Sequence, residues 1–180
     1  VGAFTNAGST KNYGLMRSSY SVSGLAWTNI EWSEFSPTNN FNDIALAPNG
    51  DIIVGGKFTS LDGVSGATNI AKFDGTTVTA LEALNGEVYS LAFGYNGLLF
   101  VGGNFTNAGG NAGADYIAYW NGAVWGALGT GTNGIVNSIA LNYGTLYAAG
   151  AFTSAGGLTL TDKVAVWNNG AWQLLDIDLP

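Results

Sequence analysis

Cysteine and histidine are both missing from the 180 residues of this chain. Without cysteine there can be no disulfide, no thiol nucleophile and no thiolate metal site. Without histidine the chain lacks the commonest general base and the commonest transition-metal ligand. Charge is scarce as well: 9% of the residues are charged, against roughly 25% in an ordinary soluble domain. Twelve acidic and five basic residues leave a net charge of −7, which speaks against nucleic acid and against an anionic membrane surface as partners. No apolar run approaches the roughly 18–20 residues that a membrane-spanning helix needs, so no membrane insertion is expected. The amino end is neither a signal peptide nor a methionine start. A sustained 3.6-residue apolar period is lacking too, which disfavours helix throughout.

What the chain does contain is a repeated phrase of about 47 residues. Its marker is a small-small-x-Phe-Thr block, found as Val1-Gly2-Ala3-Phe4-Thr5, Gly55-Gly56-Lys57-Phe58-Thr59, Gly102-Gly103-Asn104-Phe105-Thr106 and Ala149-Gly150-Ala151-Phe152-Thr153. The phenylalanines are spaced by 58 − 4 = 54, 105 − 58 = 47 and 152 − 105 = 47 residues. Three further apolar segments keep the same phase. One starts at Ile70, Ile117 and Val164, one is centred on Val78, Trp125 and Trp172, and one begins at Val88 and Ile135, with Ile44-Ala45-Leu46-Ala47 as its less complete counterpart. Each segment is rich in β-branched, aromatic and small residues. Asn49-Gly50, Asp74-Gly75, Asn96-Gly97 and Asn121-Gly122 bound them, and such pairs suit the positive φ of two-residue hairpin turns.

The pattern predicts an all-β chain of β-propeller blades, each a four-stranded antiparallel sheet. The small pair ahead of each Phe would let the backbones of adjacent blades approach, and the tryptophans at fixed phase would fill the layer between them. The approximate repeats are 1–54, 55–101, 102–148 and 149–180, about three and a half blades as one propeller segment. The ends do not close a four-bladed ring, so the segment is expected to belong to a larger propeller or to be completed by another copy or chain.

The phrases Ala47-Pro48-Asn49-Gly50-Asp51-Ile52-Ile53-Val54-Gly55-Gly56-Lys57-Phe58-Thr59 and Ile117-Ala118-Tyr119-Trp120-Asn121-Gly122-Ala123-Val124-Trp125-Gly126-Ala127-Leu128-Gly129 resemble the delta-60 type bacterial β-propeller repeat. They are similar also to the repeats of Rax2-like fungal cortical markers and, more distantly, to kelch repeats. The likeness covers nearly all of residues 41–175. It implies a propeller in a large surface or secreted protein with a binding or structural role. Lys11 to Asn40 departs from the pattern, carries the extra 54 − 47 = 7 residues and lacks the Ile-Ala-x-Trp-Asn-Gly phrase.

Candidate chemistry is thin. The copper centre of kelch-type galactose oxidase needs His and Cys, neither of which is present. Asp62, Asp74, Asp115 and Asp162 sit in or beside turns and read as turn formers. No dense Asp-x-Asp-x-Asp loop suggests calcium. Asn104-Phe105-Thr106 fits a glycosylation sequon, yet its Phe-Thr belongs to the repeat. Gly126 to Gly131 lacks the Lys and the helix of a phosphate loop. No catalytic residue, metal ligand or cofactor is therefore assigned. Trp120, Trp125, Trp167 and Trp172 repeat in phase and read as packing residues. Trp27 and Trp32 lie in the divergent segment and are the candidate binding residues.

Two functions are compatible with these residues. The first is a non-catalytic structural or adhesive module of an extracellular, cell-surface or virion protein, whose partners are other protein chains or further blades of the same protein. A neutral surface of Asn, Thr, Ser and Gly suits that setting. The second is a carbohydrate-binding module of a secreted protein, contacting surface glycans through Trp27 and Trp32.

Overall fold

The computed structural model describes residues 6–7, 10–11, 16–21, 24–29, 39–159 and 163–175. Among these the chain is all-β apart from one short 3-10 turn, Ala108–Gly110. The marker at Val1-Gly2-Ala3-Phe4-Thr5, Trp32 and Asp162 lie outside the described residues. Two small hairpins come first: β1 (Asn6–Ala7) with β2 (Thr10–Lys11), and β3 (Met16–Ser21) with β4 (Gly24–Asn29). The first four-stranded sheet is β5 (Asn40–Leu46), β6 (Ile52–Lys57), β7 (Ile70–Phe73) and β8 (Val78–Ala80). The second is β9 (Glu87–Phe93), β10 (Leu99–Asn104), β11 (Ile117–Trp120) and β12 (Trp125–Ala127). The third opens with β13 (Val136–Asn142) and β14 (Thr145–Gly150), passes through a small hairpin of β15 (Ser154–Ala155) and β16 (Leu158–Thr159), and ends with β17 (Val164–Asn168) and β18 (Ala171–Leu174). All three are antiparallel meanders.

The turns differ from the two-residue loops expected at the four Asn-Gly and Asp-Gly pairs. Phe73 pairs with Val78 and Trp120 with Trp125, so Asp74-Gly75 and Asn121-Gly122 open four-residue loops. The reason is the side chain: Asp74 Oδ1 accepts from the amides of Thr76 and Thr77, and Asn121 Oδ1 from those of Ala123 and Val124. That local bond holds the first residue at ordinary φ and leaves only the glycine left-handed, at φ 101° and 98°. Asn49-Gly50 and Asn96-Gly97 likewise lie inside longer loops, closed by amide-to-carbonyl bonds from Gly50 to Ala47 and from Gly97 to Gly94. Paired positive φ values, the mark of the type I′ turn, occur instead at Asp62-Gly63 (52° and 70°), Tyr143-Gly144 (47° and 88°), Gly156-Gly157 (60° and 84°) and Asn169-Gly170 (50° and 76°).

The sheets pack face to face, with β9 lying between β5 and β13. One apolar cluster joins the first and second sheets through Ile53, Leu91, Leu99 and Val101, and another joins the second and third through Phe100, Ile139, Leu146 and Ala148. Both glycines of the marker are explained by these contacts. A Cβ on Gly55 would lie 2.5 Å from Val88 Cγ1, and one on Gly102 2.7 Å from Val136 Cγ1, across to the next sheet. A Cβ on Gly56, Gly103 or Gly150 would instead strike the backbone of the sheet's own first strand, at Asn40, Glu87 and Ile135. There each first strand bulges, at Asn42, Tyr89 and Asn137.

The marker threonine has its own partner. Asn85 Oδ1 accepts from Thr106 N and its Nδ2 donates to Thr106 Oγ1, at 2.8 and 2.9 Å. Asn133 repeats this on Thr153, at 2.9 and 3.0 Å. Each Asn stands just before the first strand of its sheet, so the clamp ties the entry of that strand to the exit of the second.

The four repeating tryptophans divide into two kinds. Trp125 and Trp172 are buried, at 6% and 7% exposure. Each donates its indole N–H to a carbonyl in the loop leaving the preceding sheet: Trp125 to Glu82 O at 2.9 Å, Trp172 to Leu128 O at 2.8 Å. Trp120 and Trp167 are half-buried and lean on these two, with ring centroids 5.2 and 5.4 Å apart.

Candidate functional site

Where the first and second sheets meet, a groove of about 440 Å³ opens at the end that carries the β5–β6, β9–β10 and β11–β12 turns. Its apolar wall is Ile53 and Leu81 from the first sheet and Phe93, Leu99 and Trp120 from the second. Its polar groups are Asn49, Asp51, Lys72, Thr79 and Asn121. Asp51 stands at the start of β6, where Asn49 folds back on it: Asn49 Nδ2 donates to Asp51 Oδ2 at 2.9 Å, and Asp51 N donates to Asn49 Oδ1 at 3.2 Å. Lys72 projects from β7, which pairs with β6, and its Nζ lies 3.2 Å from the same carboxylate oxygen. The carboxylate is 15% exposed and the lysine 38%. The groove thus holds one anchored ion pair over an aromatic floor and carries no net charge.

The repeat supplies the control. In the joint between the second and third sheets, the positions of Asp51 and Lys72 are taken by Leu98 and Tyr119, both packed into the apolar cluster of that joint. Tyr119 lies over Gly126, where any Cβ would run into its ring, and its own ring sits 6.5 Å from that of Phe100. The first joint has Thr79 in place of that glycine and Ile53 in place of Phe100.

A second hollow of about 570 Å³ lies between the same two sheets and is lined by Asn39, Lys57, Thr68, Asn69, Asn85 and Glu87, among others. Its polar groups serve the fold. Asn69, buried and left-handed at φ 61°, accepts from Phe58 N and donates to Leu84 O. Asn42 Nδ2 bridges to Glu87 Oε1 at 2.9 Å and to Val88 O at 2.8 Å.

The carboxylates singled out as turn formers act as such where they are described. Asp74 receives two backbone N–H bonds and the Thr77 hydroxyl, and the backbone bonds above all hold its carboxyl down to about 2. Asp115 accepts from Asn107 N at 2.7 Å. Asp62 occupies a turn at φ 52°. Among the described residues no three His, Cys, Asp or Glu side chains gather as a metal site would require.

Of the two candidate binding tryptophans, Trp27 stands in β4 opposite Ser18; Trp32 lies outside the described residues. Trp120, assigned to packing, is the one that lines a groove, because its ring reaches only the rim of the layer that Trp125 fills. Asp51 and Lys72 are not among the candidates that the sequence offers. Their signal was a departure from the repeat: charge at phases where the next copy has Leu98 and Tyr119 and the last has Thr145 and Val166. No family model matches this chain, and no curated protein matches it.

Proposed function

We propose that this chain is a non-catalytic structural or adhesive module built of β-propeller blades, carried by an extracellular, cell-surface or virion protein. The observation that carries the reading is that one inter-sheet joint occurs twice. The same glycine approach, the same bulged first strand and the same Trp-to-carbonyl bond join the first sheet to the second and the second to the third. A joint that repeats with constant geometry sets a constant rotation between sheets, and successive rotations about the innermost strands generate a ring. The partners of such a body are other protein chains or further blades, and its loops make the contacts. The scarcity of charge supports a surface setting, and the single carboxylate of the groove supports binding over hydrolysis, which in glycosidases commonly uses two.

Electron microscopy of the protein isolated from its source tests the architecture. Rings of radial sheets about a central axis are the expected outcome, and a two-layer sandwich would overturn it. Incubation of the chain with glycoside, ester and phosphoester substrates tests the role: turnover abolished by Asp51→Asn would replace a binding module with an enzyme.

A further inference from the structure

We propose that the groove between the first and second sheets is a binding site for an uncharged saccharide. The ion pair is the starting point. A partly exposed Asp–Lys pair contributes little to stability, and the second joint shows that Leu and Tyr at the same positions pack the same interface. Asp51 and Lys72 are therefore one of two fillings that the same backbone joint accepts, and in the first joint they border the groove.

The chemistry of that space selects the ligand. Trp120 and Phe93 offer aromatic surface to the C–H face of a pyranose ring. Asp51 Oδ2 is occupied by Asn49 and Lys72, which fixes the carboxylate, while a carboxylate and an ammonium keep lone pairs and N–H groups enough for neighbouring hydroxyls. Asn49, Thr79 and Asn121 add donors and acceptors without charge. Because the charges are paired and the whole chain carries −7, a phosphorylated or sulfated ligand gains nothing here. A volume of about 440 Å³ falls within the range of small-ligand pockets.

The test is calorimetric titration of the 180-residue chain with cellotetraose, maltotetraose, xylotetraose and N-acetylated chitotetraose, with indole fluorescence as a second readout. Binding of at least one of these with a millimolar or lower Kd is expected. Lys72→Tyr with Thr79→Gly, which together copy Tyr119 over Gly126 in the second joint, should fold normally and weaken binding at least about tenfold. Should that variant not fold, Asp51→Asn, nearly isosteric, serves in its place with the same expectation. No binding by any of the four at about 10 mM overturns the proposal, as does unchanged affinity in the folded variant. Loss of binding in Trp27→Ala with the Lys72→Tyr, Thr79→Gly variant unaffected overturns it too, by moving the site to the amino-terminal segment.

Discussion

The two inter-sheet joints share a backbone and differ in what fills them. Each is brought together by a glycine that admits the next sheet's first strand, and each is pinned by an indole N–H on a carbonyl. In the second joint Leu98, Phe100 and Tyr119 pack into the apolar cluster; in the first, Asp51, Ile53 and Lys72 border the groove. The bond between first strands differs in the same sense. Asp43 Oδ2 accepts from Leu91 N at 2.7 Å across the first joint, whereas Ser90 Oγ accepts from Ile139 N at 3.2 Å across the second. The lesson is that the repeat secures assembly through backbone approach and a few fixed hydrogen bonds, so the remaining side chains of a joint are at liberty to vary.

Removing the shared pin should do most damage. Trp125→Ala and Trp172→Ala each delete a buried ring and orphan a carbonyl, and each is expected to destabilise by about 3–5 kcal/mol. Urea unfolding followed by circular dichroism measures both, and a large inequality between them would break the equivalence of the joints. Exchange of the fillings comes next. Tyr119→Lys opens the second joint, uncovers Gly126 and strips Phe100 of its neighbour, for an expected loss of about 2–3 kcal/mol in the same experiment. The reverse change, Lys72→Tyr, needs Thr79→Gly beside it to make room for the ring and should then cost about 1 kcal/mol, the penalty of a glycine in a strand.

The bonds between first strands rank below these. Asp43→Ala leaves Leu91 N without its charged acceptor, for about 1–3 kcal/mol, and Ser90→Ala should cost roughly half as much because a charged acceptor bonds about twice as strongly as a neutral one. Equal losses would show that charge at Asp43 contributes nothing. The smallest effect belongs to an exposed turn. Asp74 has its carboxyl lowered to about 2 from an ordinary 3.8, so its turn is favoured above the ordinary value and that contribution fades as pH falls through the folded value. Carbon NMR of the carboxyl should give a midpoint near 2. A midpoint at the ordinary value would mean that the Thr76 and Thr77 amides do not hold the carboxylate in solution. The matching Asn121 turn has no group to titrate.

Much of the fold was legible in the residues. Strand positions followed from apolar segments in constant phase, and the small-small-x-Phe-Thr marker correctly signalled close backbone approach. Turn lengths were misjudged because an Asp or Asn side chain that bonds the amides ahead of it mimics, in sequence, the Asn-Gly of a two-residue turn. The Asn85–Thr106 and Asn133–Thr153 clamps had a visible signal in Asn-Gly at 85–86 and 133–134, just ahead of the first strand of each sheet, but their partners are 20 or 21 residues away. The groove was the least legible. Four phased tryptophans look alike in sequence, and only packing separates Trp125 and Trp172, inside the layer, from Trp120 and Trp167 at its rim.

The sequence alone determined that the described residues are all-β but for one 3-10 turn, built of repeating four-strand units without histidine or cysteine chemistry, because alternation, turn residues and residue inventory are properties of short segments or simple counts. Tertiary structure alone decided that Asp51 and Lys72 border a groove at the first joint while Leu98 and Tyr119 pack into the cluster of the second. That difference is set by the combined volumes of side chains from two sheets, and no single segment contains both.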